Sequence, residues 1–157
     1  MRIGHSRDIH RLVEGRDLVL GGVKIESELG LLGHSDADTL LHAIIEAIIG
    51  AMGLKDIGTH FPDNDPQYKD ISSLILLEKT YELMDSHGYK IGNVDSLIMI
   101  EKPKMAPHID AMRKNIAEAL HCDISQINVK ATRGEGLGFV GEMKGVEATA
   151  VVLLEEK

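Results

Sequence analysis

The stretch Asp38–Met52, reading Asp-Thr-Leu-Leu-His-Ala-Ile-Ile-Glu-Ala-Ile-Ile-Gly-Ala-Met, decides the architecture. It is apolar almost all the way round, and a helix of that composition belongs in the interior, packed on more than one side. Its polar exceptions beyond the first turn are His42 and Glu46, which share one narrow face with Asp38 at i, i+4 and i+8. A buried carboxylate or imidazole must be paired or bound to metal. The stripe therefore faces a polar site or a subunit interface, the plain alternative being a solvated stripe on a greasy helix. The helix is expected over Ser35–Met52, with Ser35 as N-cap, Asp38 completing a capping box and Gly53 as the stop.

Working outward, Met1–Ile9 predicts a strand, and Leu18–Leu20 with Val23–Ile25 flank Gly21-Gly22 as a bend or hairpin. Downstream, Ile71–His87 predicts a helix closed by Gly88, with Leu74, Leu77, Tyr81 and Met84 on its buried face. Lys90–Glu101 predicts a strand, Pro107–Leu120 a helix, and Gln126–Thr132 and Val146–Leu154 two more strands. The sum is an α+β fold, a mixed sheet with helices packed on one face, in a single domain spanning 1–157. Between the last two strands, Gly134, Gly136, Gly138, Gly141 and Gly145 mark a loop whose backbone turns sharply or closely approaches something.

Composition narrows the function classes. With 157 residues and 43% hydrophobic content the chain can bury one core. A net charge of -8 with no long Lys/Arg run argues against nucleic acid or an anionic membrane as partner. The longest apolar stretch, Ile44–Met52, is too short to cross a bilayer, and Met1–Gly4 opens without a signal-like apolar segment, so a cytoplasmic location is expected. Cys122, the only cysteine, reads as a partly buried small residue rather than a ligand. Eight histidines in so short a chain invite a search for metal ligands.

Asp8-Ile9-His10 supplies a carboxylate and an imidazole on one face of a strand. Alone it is a common triplet. Joined to His42 it becomes an N, N, O donor set with a fourth position open, the pattern of a catalytic zinc.

Several further motifs occur in order: His34-Ser35-Asp36-Ala37-Asp38 with His42-Ala43, Asp56-Ile57-Gly58 leading to Phe61-Pro62-Asp63, Gly92-Asn93-Val94-Asp95, Pro103-Lys104-Met105, and Asn128–Thr132 with Leu137-Gly138-Phe139. Together with Asp8-x-His10 they resemble the cyclodiphosphate synthase family of the non-mevalonate isoprenoid pathway, over essentially the whole chain. The resemblance implies a phosphorus–oxygen lyase acting on a small-molecule cytidine diphosphate substrate, with active sites between neighbouring subunits of a homotrimer. It implies Zn²⁺ on Asp8, His10 and His42, one per subunit, and Mg²⁺ or Mn²⁺ near Glu135 on the substrate diphosphate. His34 and Ser35 would contact the methylerythritol phosphate side, and His34 and Arg133 occupy the catalytic positions. Asp56, Ile57 and Gly58 would lie near the nucleotide sugar, and Phe61, Pro62, Asp63, Asn64 and Asp65 on a loop over the methylerythritol. Ile100, Glu101, Lys102, Pro103, Lys104, Met105 and Ala106 would form the cytosine pocket. Thr132, Arg133, Gly134 and Glu135 would cradle the diphosphate, with Phe139 and Glu142 nearby. Asp38 and Glu46 fit supporting or interface roles by their helical face.

The chain departs from the family pattern in places. Ser6 and Arg7 stand where glycine and an aromatic residue are usual, and Arg7 either pairs with a phosphate or points to solvent. Arg133 stands where threonine is usual, either as a bidentate phosphate clamp or as an obstruction. Glu46 stands where aspartate is common. Glu142 stands where some members have arginine, which removes a cation near the trimer axis. Two rival readings follow: a metal-dependent phosphate-ester hydrolase with water in the open zinc position, and a diverged trimer that binds cytidine nucleotides or metal without turnover.

Overall fold

A computed structural model describes residues 1–157. Five strands form the main sheet in the order β4-β1-β7-β5-β6: β1 (Arg2–Val13), β4 (Gly30–Leu32), β5 (Tyr89–Met99), β6 (Ile127–Thr132) and β7 (Gly145–Glu156). β1 runs antiparallel to both β4 and β7, and β7 antiparallel to β5. β5 and β6 are parallel, because the helix α4 (Ile109–Ala119) carries the chain back between them. The hairpin of β2 (Leu18–Leu20) and β3 (Val23–Ile25) is a separate small sheet. The mixed sheet of the sequence analysis is thus present, with β1 longer than expected and β4 unforeseen.

The interior helix α1 (Thr39–Met52) lies across β1 and β7, with α3 (Ser73–Ser86) on its far side. That double contact explains its composition: Leu40, Leu41, Ile44, Ile45, Ile48 and Ile49 are all fully buried, each stabilising by roughly 1.5–3 kcal/mol. Its N-cap is Asp38, not Ser35. Ser35 instead accepts a bond from the Ala37 amide, 3.2 Å away, a local turn that delays the first helical residue to Thr39. Gly53 ends the helix in the left-handed conformation, as expected.

Alternation on β1 sets how closely α1 can approach. Gly4, Ser6, Asp8 and His10 leave the sheet towards the helix, while Ile3, His5, Arg7, Ile9 and Arg11 face the other way and are exposed. A Cβ on Gly4 would lie 1.8 Å from the Ala47 carbonyl oxygen, so only glycine fits. Ser6, next on that side, donates to the Ala43 carbonyl at 2.5 Å. The outward face of the sheet stays uncovered, with Ile3 71% and Val151 45% exposed. There Arg7 makes an ion pair with Glu147, Nε to Oε1 2.6 Å and Nη2 to Oε2 3.2 Å. It therefore points to the solvent side of the sheet, as one of the two expectations had it, but not as a free charge, because a carboxylate one strand away meets its fork bidentately. No helix is long and apolar enough to cross a membrane.

Candidate functional site

The metal-ligating candidates meet where β1 packs on α1. Asp8 and His10 leave β1 on the helix side, and His42 stands on the first turn of α1. Asp8 Oδ2 lies 2.9 Å from His10 Nδ1 and 3.4 Å from His42 Nδ1. One donor atom from each residue lies within 4.8 Å of the other two. Donors around a tetrahedral ion with zinc bond lengths sit about 3.3 Å apart, so the spacing suits one.

Asp8 Oδ2 is also buried and makes no hydrogen bond of good geometry. An acceptor-only oxygen stripped of water and facing two imidazole nitrogens calls for a cation. Burial by itself raises the Asp8 carboxyl, but the imidazoles of His10 and His42 beside it outweigh that and hold the group at about 2. Burial likewise lowers His42, and the Asp8 carboxylate reverses that and raises it. Both shifts state that positive charge is favoured between these groups. The residues present therefore fit a metal with one position open to a substrate oxygen.

A cavity of about 360 Å³ opens beside the three, lined also by His34, Ser35, Ile57, Gly58, Phe61 and Asp63. His34 Nε2 lies 3.0 Å from the Asp65 carbonyl oxygen and tethers the 61–65 loop. The Phe61 ring meets Tyr68 edge-on with centroids 5.6 Å apart. Asp56 caps the short helix α2 (Ile57–His60), accepting from the Thr59 amide and hydroxyl, which hold its carboxyl below the usual range. Asp56, Pro62, Asn64 and Asp65 sit on these loops but outside the cavity lining.

The polar stripe of α1 has three separate tasks. Asp38 is fully buried and accepts from the amides of Gly21, Gly22 and Leu41 at 2.8–3.0 Å, pinning the β2–β3 hairpin to the helix. Burial pushes its carboxyl up to about 7 against those amides. His42 joins the metal group. Glu46 accepts from the Ile57 amide at 2.7 Å and so fixes the start of α2 on the cavity rim.

A second cavity, about 580 Å³, is lined by Ile100, Glu101, Lys102, Pro103, Lys104, Met105 and Ala106 together with Ile109, Ala131, Thr132 and Arg133. Glu101 Oε2 accepts from the Gly134 amide at 2.9 Å and ties this pocket to the glycine-rich loop. That loop closes on itself around the short helix α5 (Gly138–Gly141), where a Cβ on Gly141 would lie 2.3 Å from the Gly136 backbone. Glu135 is 77% exposed at its side chain, 3.9 Å from Arg133 Nη2. Phe139 lies against Gly145. Glu142 pairs with Lys144 at 2.8 Å, which holds its carboxyl low.

The two cavities share no lining residue. β7 and β5 stand between β1 and β6, a separation of three strand spacings, roughly 14 Å. Within one chain, then, Thr132, Arg133, Gly134 and Glu135 are not brought to Asp8, His10 and His42. Cys122 joins neither cavity, and burial with the Asp123 charge pushes its thiol up to about 11.

Sequence reasoning missed Gly33, Tyr68 and Leu76 in the cavity wall and Ser73 behind His42. For Gly33 a signal existed: it directly precedes the His34–Asp38 motif. Ser73 contacts residues 31 and 37 positions upstream, and no local pattern reports such a contact.

The matching family model, described as the YgbB family, covers residues 1–155. A 2-C-methyl-D-erythritol 2,4-cyclodiphosphate synthase from Natranaerobius thermophilus is 59% identical over 99% of this chain and 98% of its own length. Another, from Geobacter sulfurreducens, is 58% identical over the full length of both. Among solved structures, the Plasmodium falciparum IspF complex with CDP is 41% identical, covers 99% of this chain and 96% of that one, and superposes with a TM-score of 0.86. The bifunctional IspDF of Campylobacter jejuni gives 0.95 at 40% identity, with 99% of this chain spanning 42% of that longer one.

Proposed function

The chain belongs to the YgbB family and is an enzyme of the cyclodiphosphate synthase kind; on that premise we propose that it converts 4-diphosphocytidyl-2-C-methyl-D-erythritol 2-phosphate to 2-C-methyl-D-erythritol 2,4-cyclodiphosphate and CMP. One observation carries the reading: Asp8, His10 and His42 converge on a buried carboxylate oxygen that lacks a partner, beside a cavity walled by His34 and Ser35.

In the proposed reaction an oxygen of the 2-phosphate attacks the β-phosphorus, a new P–O–P bond forms, and the bond from that phosphorus to the bridging oxygen breaks with its electron pair leaving on CMP. The 2-phosphate has a second pKa of about 6 and is largely dianionic at neutral pH, so no side chain must deprotonate it. The task left to the chain is to fold the substrate for in-line attack and to neutralise charge. Zn²⁺ on Asp8, His10 and His42, and Mg²⁺ or Mn²⁺ near Glu135, would supply Lewis-acid polarisation of phosphate oxygens. His34 and Ser35 orient the methylerythritol phosphate. Phe61, Pro62, Asp63, Asn64 and Asp65 close over the methylerythritol, and Asp56, Ile57 and Gly58 lie by the nucleotide sugar. Residues 100–106 hold the cytosine, and Thr132, Arg133, Gly134 and Glu135 hold the diphosphate, the Arg133 fork serving as an anion clamp. Phe139 and Glu142 flank that arm.

A substrate that reaches both cavities at once needs them closer than one chain places them. We therefore propose a homotrimer in which the metal cavity of one copy faces the nucleotide cavity of the next. Residues 1–157 act as one synthase domain, in the cytoplasm, with no nucleic acid or membrane partner.

The test is ³¹P NMR of the protein with zinc, magnesium and the named substrate. A cyclic diphosphate appearing with CMP is the expected result. Inorganic phosphate instead would favour an ester hydrolase. Unchanged substrate from a metal-loaded protein that binds CDP would favour a binder without turnover.

A further inference from the structure

His42 is held from behind by a chain of two residues that the proposed reaction does not use. Its Nε2 lies 2.9 Å from Ser73 Oγ and 3.1 Å from Ser35 Oγ. The Ser73 hydroxyl donates to Asp36 Oδ1 at 2.5 Å, and the Ser73 amide donates to Asp36 Oδ2 at 3.0 Å. Asp36 Oδ1 also accepts from the Asp38 amide at 3.1 Å, so the carboxylate is locked between the loop before α1 and the first turn of α3. Ser73 itself is fully buried.

A serine hydroxyl has one proton to give. Ser73 gives it to the Asp36 carboxylate, which is the stronger acceptor, so only oxygen lone pairs remain towards His42. Towards Ser73, then, Nε2 is satisfied only when it carries the proton. That leaves Nδ1, the nitrogen facing Asp8 and His10, as a bare lone pair. A ligating imidazole needs this arrangement, and a partner on its other nitrogen fixes its tautomer and ring orientation. Ser35 differs. Its oxygen accepts from the Ala37 amide, its proton has no carboxylate to go to, and it lines the cavity.

We propose that Asp36 and Ser73 are positioning residues for the metal centre, a carboxylate–hydroxyl relay that holds His42 as the Nε2–H tautomer with Nδ1 turned to the ion. This rests on the metal reading of Asp8, His10 and His42.

The test compares the full-length protein with Ser73→Ala, Asp36→Asn and Ser35→Ala, by zinc affinity in chelator competition and by the ¹H–¹⁵N signal of His42 Nε2–H in the zinc-loaded state. Ser73→Ala leaves the Ser72 cap of α3 in place and should fold, which circular dichroism checks. Expected are zinc affinities 10–100-fold weaker for Ser73→Ala and weaker for Asp36→Asn, with the Nε2–H proton of both exchanging faster with water than in the wild type. Ser35→Ala should keep that proton protected. Asp36→Asn retains an acceptor for Ser73 and guards against a folding defect peculiar to the alanine variant. Wild-type affinity and protection in a folded Ser73→Ala protein would overturn the relay alone. So would loss of protection in Ser35→Ala but not in Ser73→Ala. Wild-type protein that takes up no zinc would instead overturn the metal reading, and the relay with it.

Discussion

At the scale of single residues, the decisive property of Asp8 is that its carboxyl, held at about 2, is charged throughout the physiological range. Asp8→Asn keeps the shape and removes the charge, so it should abolish zinc retention, measured as metal per chain after dialysis. His42→Ala should do the same, and a normal zinc content would remove it from the donor set. Arg133 is the informative departure. As an anion clamp its replacement by threonine should lower kcat/KM about tenfold or more, the value of a charge-assisted hydrogen bond or two; a rise would show that the guanidinium obstructs the loop. The donor set was legible in the sequence because Asp8-x-His10 obeys the strand period and His42 breaks an apolar helix. Arg7 was not legible, since its partner Glu147 lies 140 residues away and is set beside it only by the pairing of β1 with β7.

At the scale of elements, the sequence located the long ones because their periodicity spans several turns or residues; of the short ones it gave only β2 and β3, marked by the Gly21-Gly22 pair between them, and lost the rest. β4, α2 and α5 have three or four residues each, too few for any period to register. The N-cap was misplaced for a related reason: Ser35 and Asp38 both have the chemistry, and the choice was made by the β2–β3 hairpin, whose amides Asp38 also caps. Asp38→Ala should accordingly cost more than an ordinary cap, roughly 2–4 kcal/mol in denaturant unfolding, since buried amides lose their acceptor as well. Glu46 acts on a neighbouring element rather than on its own helix. Glu46→Ala should raise KM about tenfold through a loosened α2 while shifting stability much less than Asp38→Ala does, a split that steady-state kinetics and thermal melts together would show.

At the scale of the whole molecule, the helices take one face of the sheet and leave Ile3, Ile9, Val151 and the Arg7–Glu147 pair on the other. That uncovered apolar face is the one left open to other copies in the proposed trimer, and on that reading Val151→Asp should shift the assembly towards monomers in sedimentation and lose turnover while retaining zinc. The sequence implied two functional regions, but their separation into two cavities emerged only from the strand order, which no motif encodes. The close approach at Gly4 has a further consequence. Gly4, Ser6, Asp8 and His10 are successive positions on one side of β1; the first two fix how deep α1 sits, and the last two face His42 across the same gap. The strand and helix work as the jaws of a caliper, with the setting screw at Gly4, about 13 Å along the strand from Asp8. A methyl group added there would have to push α1 off β1, so a residue that touches no ligand sets how far apart the donors on strand and helix stand.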